Sequence, residues 1–218
     1  MREALELSLD RDAIVQVVFD GEFVATNQPH SVASPWYVKE VPVPVRDVAR
    51  AKKLLADAGI SKPAFTLLVT TNPIEGQLAQ VIQAMAAEAG FEVKIEVIEQ
   101  NALIAKASKG DYEAAVVIWS GRADPDGNVS IWLACDGFLN WGKYCSKDLD
   151  QMLADARAKT DSVARLTDYT AAARIYLGDR GHIFLHNHKW LWGLSEKVDG
   201  FSTHPDGIIR LQGVKLQQ

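Results

Sequence analysis

No apolar stretch in this chain approaches the roughly 18 consecutive residues that a membrane-spanning helix needs, and no basic segment leads into an apolar core near Met1. Neither a membrane span nor a signal peptide is therefore legible. The sequence also lacks a Gly-x-Ser-x-Gly elbow, a His-Glu-x-x-His helix and a phosphate-cradling glycine-lysine loop, so a hydrolytic or nucleotide-dependent enzyme has no anchor in it. Positive charge is in deficit, with 23 Lys and Arg against 28 Asp and Glu for a net charge of -5, and no basic cluster is interleaved with aromatics. The electrostatic footprint of a nucleic-acid partner is missing, and a polyanionic ligand is disfavoured.

Cysteine is scarce. The two present, Cys135 and Cys145, bound a polar, aromatic, glycine-containing loop from Asp136 to Tyr144. A bridge between them would stabilise the fold by roughly 2.5 to 3 kcal/mol through loop closure and would imply an oxidising compartment; two free thiols are the other reading. Zinc is disfavoured, because the spacing is not that of a two-cysteine knuckle and no histidine flanks the pair.

What is there is ordinary globular composition: 218 residues, 48% hydrophobic and 23% charged, enough for one large domain or two small ones. The periodicities predict a helix over 3–19 with a polar break at Asp10 and Asp12. An irregular stretch over 20–45 follows, which holds four of the eight prolines. A helix over 47–58 is closed by Gly59. Then come strand 65–70, helix 75–89, strand 91–98, helix 101–108 and strand 112–119, a βαβαβ unit whose right-handed crossovers cover a sheet with helices. Helices over 147–158 and 162–177, an aromatic strand over 183–194 and a turn-rich tail over 198–218 complete the chain.

The most informative stretch is Trp119-Ser120-Gly121-Arg122-Ala123-Asp124-Pro125-Asp126-Gly127-Asn128. The run Ala114-Ala115-Val116-Val117-Ile118 has the length and β-branching of a core strand, and it ends abruptly in charges, glycines and a proline. A buried strand delivering polar groups to a cleft at its carboxyl end has this form. Asn72-Pro73 ends the first strand of the same unit, which makes Asn72 a second candidate at that edge; a plain turn residue is its alternative.

The order of these pieces resembles the C-terminal half of the peptide-binding proteins of ABC importers, the dipeptide and oligopeptide family (extracellular solute-binding proteins, family 5). The residues that carry the resemblance are Ala4 to Ile14, Ser34-Pro35-Trp36-Tyr37, Ala51 to Gly59, Trp119-Ser120-Gly121 with Asp124-Pro125-Asp126, the cysteine pair, and Gly200-Phe201 with Pro205-Asp206-Gly207. Each motif is weak alone, but the ordered set spans nearly the whole chain. The resemblance implies an α/β lobe of the type II periplasmic-binding-protein fold, a mixed sheet with a βαβαβ core flanked by helices. Residues 1–197 would form the second lobe and 198–218 a tail returning to a first lobe that is absent here, so Met1 would fall inside a longer protein. That parent would be a periplasmic solute-binding protein of an ABC transporter, without enzymatic activity or cofactor. Its partners would be a small peptide, the missing lobe and a membrane permease.

The same resemblance assigns ligand contacts to Trp119, Ser120, Gly121, Arg122 and Asp124. Dipeptide-binding relatives carry an aspartate just after Trp-x-Gly that meets the ligand ammonium, and this chain has Arg122 there instead. A guanidinium fork suits a ligand carboxylate, which points to an acidic or γ-linked peptide such as glutathione. Two alternatives stay open: Arg122 paired internally with Asp124 or Asp126, and Asp124 serving the ammonium. Asp126 reads as a turn former or helix cap. Trp119 and Ser120 would bind an extended ligand through their main chain, or Trp119 belongs to the core. Trp36, Tyr37, Trp141 and Tyr144 line the cleft mouth or cover their own loops.

The histidines offer the rival reading. His186 and His188 share one face of a strand, with His182 and His204 nearby, and nickel and haem binders exist in this family. No carboxylate or cysteine stands at ligand spacing, so core or surface histidines are the competing interpretation. A hydrolytic α/β domain is the remaining alternative.

Overall fold

The computed structural model describes residues 1–204 and 206–217. Two expectations fall on residues outside that set: Pro205 of the closing motif, and Gln218 at the end of the tail. The N-terminal segment forms two helices, α1 (Arg2–Ser8) and α2 (Arg11–Phe19), where one interrupted helix was expected. The break has a physical cause. Leu9 is extended, and the Asp10 carboxylate accepts the Ala13 N–H at 2.9 Å, capping α2.

After β1 (Val24–Ala25) the proline-rich segment runs irregularly to α3 (Val48–Asp57), which Asp47 caps at the Arg50 N–H. Irregular here does not mean loose. Gln28 is fully buried, and its amide both accepts from the Val38 N–H at 3.0 Å and donates to the Val38 carbonyl at 2.8 Å. Asn27 donates to the Pro42 carbonyl at 2.9 Å. Side-chain amides thus supply the partners that proline-interrupted backbone cannot find in a ladder.

The βαβαβ unit follows as expected: β2 (Ala64–Thr70), α4 (Pro73–Glu88), β3 (Glu92–Ile98), α5 (Gln100–Lys109) and β4 (Ala114–Ala115). The strands are parallel in the order β3-β2-β4, with Leu67 opposite both Ile95 and Ala114. Side chains of β2 alternate between faces: Phe65, Leu67 and Val69 enter a core with Leu7, Ile14, Leu55, Leu78 and Ile82, while Leu68 meets Leu103 and Ala107 of α5.

The second half packs around its own core. α6 (Asp126–Leu133), α7 (Lys147–Ala158) and α8 (Ser162–Asp179) bring Leu133, Leu149, Leu153, Tyr169 and Tyr176 together. Ser146 and Asp161 cap α7 and α8. Cys135 and Cys145 are joined in a disulfide. Among the described residues antiparallel pairing is confined to two separate ribbons, β1 with β5 (His186–Asn187) and β6 (Val198–Asp199) with β7 (Lys215–Leu216). Among the described residues no helix is long and apolar enough to cross a membrane.

Two strand expectations are corrected. The run over 112–119 pairs only at β4, after which Val116 adds one bond to Leu68; Val117 and Ile118 are exposed, because β4 lies at the sheet edge. The aromatic segment over 183–194 pairs only at β5 and through the Thr26-to-Leu185 bond, and the residues after β1 direct the Asn27 and Gln28 side-chain amides to the Pro42 and Val38 carbonyls instead. Leu191 is left 73% exposed.

Candidate functional site

Parallel strands put the carboxyl ends of β2 and β4 at one edge of the sheet, so Asn72 and the Trp119–Asn128 segment share that edge. Asn72 is occupied there as the cap of α4: its Oδ1 accepts the Ile74 N–H at 3.0 Å. Glu75 reaches back from the same helix to the Thr70 hydroxyl at 2.7 Å and its N–H at 2.9 Å, pinning the strand end.

The segment after β4 folds around Asn128, which sequence reasoning passed over as one turn residue among several. Its Oδ1 accepts the Arg122 N–H at 2.7 Å and the Trp119 indole N–H at 3.2 Å, and its Nδ2 donates to the Arg122 carbonyl at 2.8 Å. Gly121 takes a positive φ of 80°, which a side chain would strain, and turns the chain back over α6. Trp119 is half-buried, edge-on to Trp132 at 5.6 Å, while its face carries the Arg122 guanidinium at 4.2 Å. Core packing and surface platform are therefore both realised in one indole.

Arg122 does not pair with Asp124 or Asp126. Its Nη1 donates to the Ser120 hydroxyl at 3.0 Å and the Gly121 carbonyl at 2.5 Å, and it has no carboxylate partner among the described residues. The two carboxylates are claimed by helices further along. Asp124 accepts both contacts of the Arg165 Nη2, at 3.1 and 2.9 Å, and Asp126 meets Arg157 at 3.1 Å and the Ser130 hydroxyl. The Asp124 hydrogen bond raises the Arg165 pKa above its ordinary value. Asp124, not Asp126, is the turn former: its Oδ1 accepts the Asp126 N–H at 2.9 Å. Arg165 also lies over Trp36 and Tyr169, so Trp36 belongs to this support.

Two of the loop aromatics, Trp141 and Tyr144, pack against the second core, whereas Phe138 is exposed. Trp141 packs edge-on to Trp132 at 5.6 Å, and the Tyr144 hydroxyl donates to Asp179 at 2.6 Å; burial, then that acid, push its pKa above the usual range. His186 and His188 share a face as expected, but it is an aromatic one: Phe19 lies 4.4 Å from His186 and Phe23 4.3 Å from His188. Burial, with His188 adding to it, lowers the His186 pKa to about 4. Among the described residues the potential metal cluster comprises Cys135, Cys145 and Asp150, whose sulfurs are already joined to each other.

Two surface clefts are lined by other residues: about 460 Å³ at Lys52, Gly59, Ile60 and Gly90, and about 370 Å³ at Thr66, Glu96, Lys106 and Glu113.

Comparisons with known proteins agree with this fold. A family model described as "Bacterial extracellular solute-binding proteins, family 5 Middle" matches residues 1–140. The "Probable di/tripeptide-binding protein 5" of Pseudomonas aeruginosa is 29% identical over 95% of the chain and 41% of its own length. The "Dipeptide-binding protein" of Escherichia coli is 25% identical over 100% and 42%. Among solved structures, the oligopeptide-binding protein AppA from Bacillus subtilis in complex with a nonapeptide superposes with a TM-score of 0.87 at 25% identity, covering 100% of this chain and 47% of that one. The chain thus spans about two fifths of the length of the curated relatives it matches.

Proposed function

The chain belongs to the bacterial extracellular solute-binding proteins, family 5, and from that premise we propose that it is the second lobe of the solute-binding component of a peptide-importing ABC transporter. Its contribution is one wall of a ligand cleft. The observation that carries this reading is the strand end after β4, where an indole face, a guanidinium without a carboxylate partner among the described residues and a clamped backbone meet at the carboxyl edge of a parallel sheet. Ligands of open α/β sheets bind at such edges. The printed names of the relatives, di/tripeptide-binding and dipeptide-binding, support a short peptide as the ligand class.

The partners in this reading are a peptide, a first lobe that closes over it, and a membrane permease, with the periplasm as the compartment. The disulfide suits an oxidising space. Trp119, Ser120, Gly121 and Arg122 are the proposed contact residues. Asp124 acts through Arg165 as a support, and Asn72 serves as the cap of α4.

The test is an NMR titration of the 15N-labelled chain with dialanine at millimolar concentrations, since one wall buries little of a ligand. Shifts concentrated at the Trp119 indole and the amides of 119–122 are the expected result. Saturable shifts centred on His186 and His188 instead, or no saturable shift anywhere, would remove the proposal.

A further inference from the structure

We infer that Arg122 is a preorganised receptor for a ligand carboxylate, so that this wall selects for negative charge where a carboxylate would select for an ammonium; the inference rests on the peptide-cleft reading above. Four observations converge on it. The guanidinium plane is held on the Trp119 face at 4.2 Å. Its Nη1 is saturated by the Ser120 hydroxyl and the Gly121 carbonyl, which leaves Nε and Nη2 without a partner among the described residues. Those two donors are the side-on edge of the fork, whose spacing matches the two oxygens of one carboxylate.

The third observation concerns the neighbours. Asp124 and Asp126 stand within four positions of Arg122, close enough to neutralise it, yet Arg165 and Arg157 engage them from α8 and α7. Two intervening ion pairs therefore preserve one uncompensated positive charge. Fourth, the stem of Arg122 packs where Gly127 has no side chain: a Cβ on Gly127 would meet the Arg122 Cγ at 2.9 Å and Cβ at 3.0 Å. Asn128 fixes the backbone of the same residue. A side chain already ordered at its stem, plane and backbone loses little further freedom on binding. An arginine serving only solubility needs none of these restraints.

The carboxylate could come from a peptide C-terminus or from an acidic side chain, and the probes separate the two. The chain, wild type and Arg122→Gln, is titrated by NMR with Ala-Gln amide, which has no carboxylate, with Ala-Gln, which has only the terminal one, and with Ala-Glu amide, which has only the side-chain one. In the wild type at least one carboxylate peptide binds about tenfold tighter than the uncharged amide, the scale of a charge-assisted pair. Which of the two gains identifies the source. Arg122→Gln reduces that ratio to about one, the ratio within each variant being the readout, and Arg122→Lys, which keeps the charge but loses the fork, retains part of it. A wild-type ratio of one, or a ratio that survives Arg122→Gln, overturns the inference and leaves the peptide-cleft reading standing. Failure of all three peptides to bind overturns both. Folding of each variant is verified by its amide spectrum, and Arg122 is exposed, so loss of the fold does not intervene.

Discussion

Asn128 grips Arg122 by both backbone groups, accepting its N–H at 2.7 Å and donating to its carbonyl at 2.8 Å, as a neighbouring strand would. The amide is 5% exposed and also takes the Trp119 indole N–H, so it sets the platform and the residue above it together. Asn128→Ala strands these groups at a partly buried turn. A loss of about 2 kcal/mol is expected from the unpaired donors and acceptor, read as a lower urea midpoint at unchanged slope. A midpoint equal to wild type would mean that water replaces the clamp without cost.

The sequence announces this segment but not its support. Trp119 to Arg122 stands out locally because an apolar run ends there, and the caps Asp47, Asn72 and Asp161 mark helix starts by residue type alone. The arginines that neutralise Asp126 and Asp124 lie 31 and 41 positions away, on helices whose docking no local pattern encodes. α6 went unforeseen because Pro125, Asp126, Gly127 and Asn128 are turn residues by propensity, and packing of Val129, Trp132 and Leu133 in the second core overrides that preference. The aromatic strand expected over 183–194 has a period of two in Phe184, His186, His188, Trp190 and Trp192. That period is real in the aromatic stacking, but β1 offers only two residues of ladder.

Burial should separate two glutamates of the same helix. Glu6 accepts Arg11 at 2.6 Å and Arg180 at 2.7 Å with side chains of Glu6 and Arg11 only 8% and 1% exposed, whereas Glu3 meets Arg50 at the surface. Glu6→Gln leaves a buried guanidinium uncompensated and should cost about 3 kcal/mol. Glu3→Gln should cost under about 0.5 kcal/mol. Denaturation of the pair decides it; equal losses would place the network's strength at the surface.

The bridge between Cys135 and Cys145 closes the loop that Asn140 organises by donating to the Ala134 and Tyr144 carbonyls at 2.8 and 2.6 Å. Loop-closure entropy assigns it roughly 2.5 to 3 kcal/mol. The double variant Cys135→Ser, Cys145→Ser should therefore unfold at a correspondingly lower urea midpoint, and reductant should lower the wild-type midpoint but not the variant's. Insensitivity of the wild type to reductant would contradict a structural bridge.

Acid should weaken the fold through histidines that burial keeps neutral. His30, His182 and His186 are each held at about 4, against about 6.5 when unfolded. Between those values the unfolded chain binds protons that the native chain refuses, so their stabilisation is complete above pH 6.5 and declines as pH falls toward 4. His30 is the most secluded by exposure, at 6%. His30→Gln should flatten the stability slope near pH 5.5 by close to one proton, about 1.4 kcal/mol per pH unit. An unchanged slope in urea titrations from pH 7 to 5 would mean His30 protonates freely in the native state.

Gly127→Ala sets helix propensity against the packing of Arg122. Alanine in place of glycine within a helix ordinarily gains up to about 1 kcal/mol, and Gly127 lies inside α6 without a positive φ to forbid it. The added Cβ, however, falls 2.9 Å from the Arg122 Cγ and 3.0 Å from its Cβ, atoms too near the backbone to swing aside as a side-chain tip would. The arginine stem must shift, and its head then leaves the Trp119 face. The expected outcome is a fold at least as stable as wild type to within about 1 kcal/mol, with moved NMR resonances at the Trp119 indole and the Arg122 Nε. A stability loss without those shifts would mean that α6 itself yields and that the glycine serves the helix; shifts with the fold intact mean it serves the arginine.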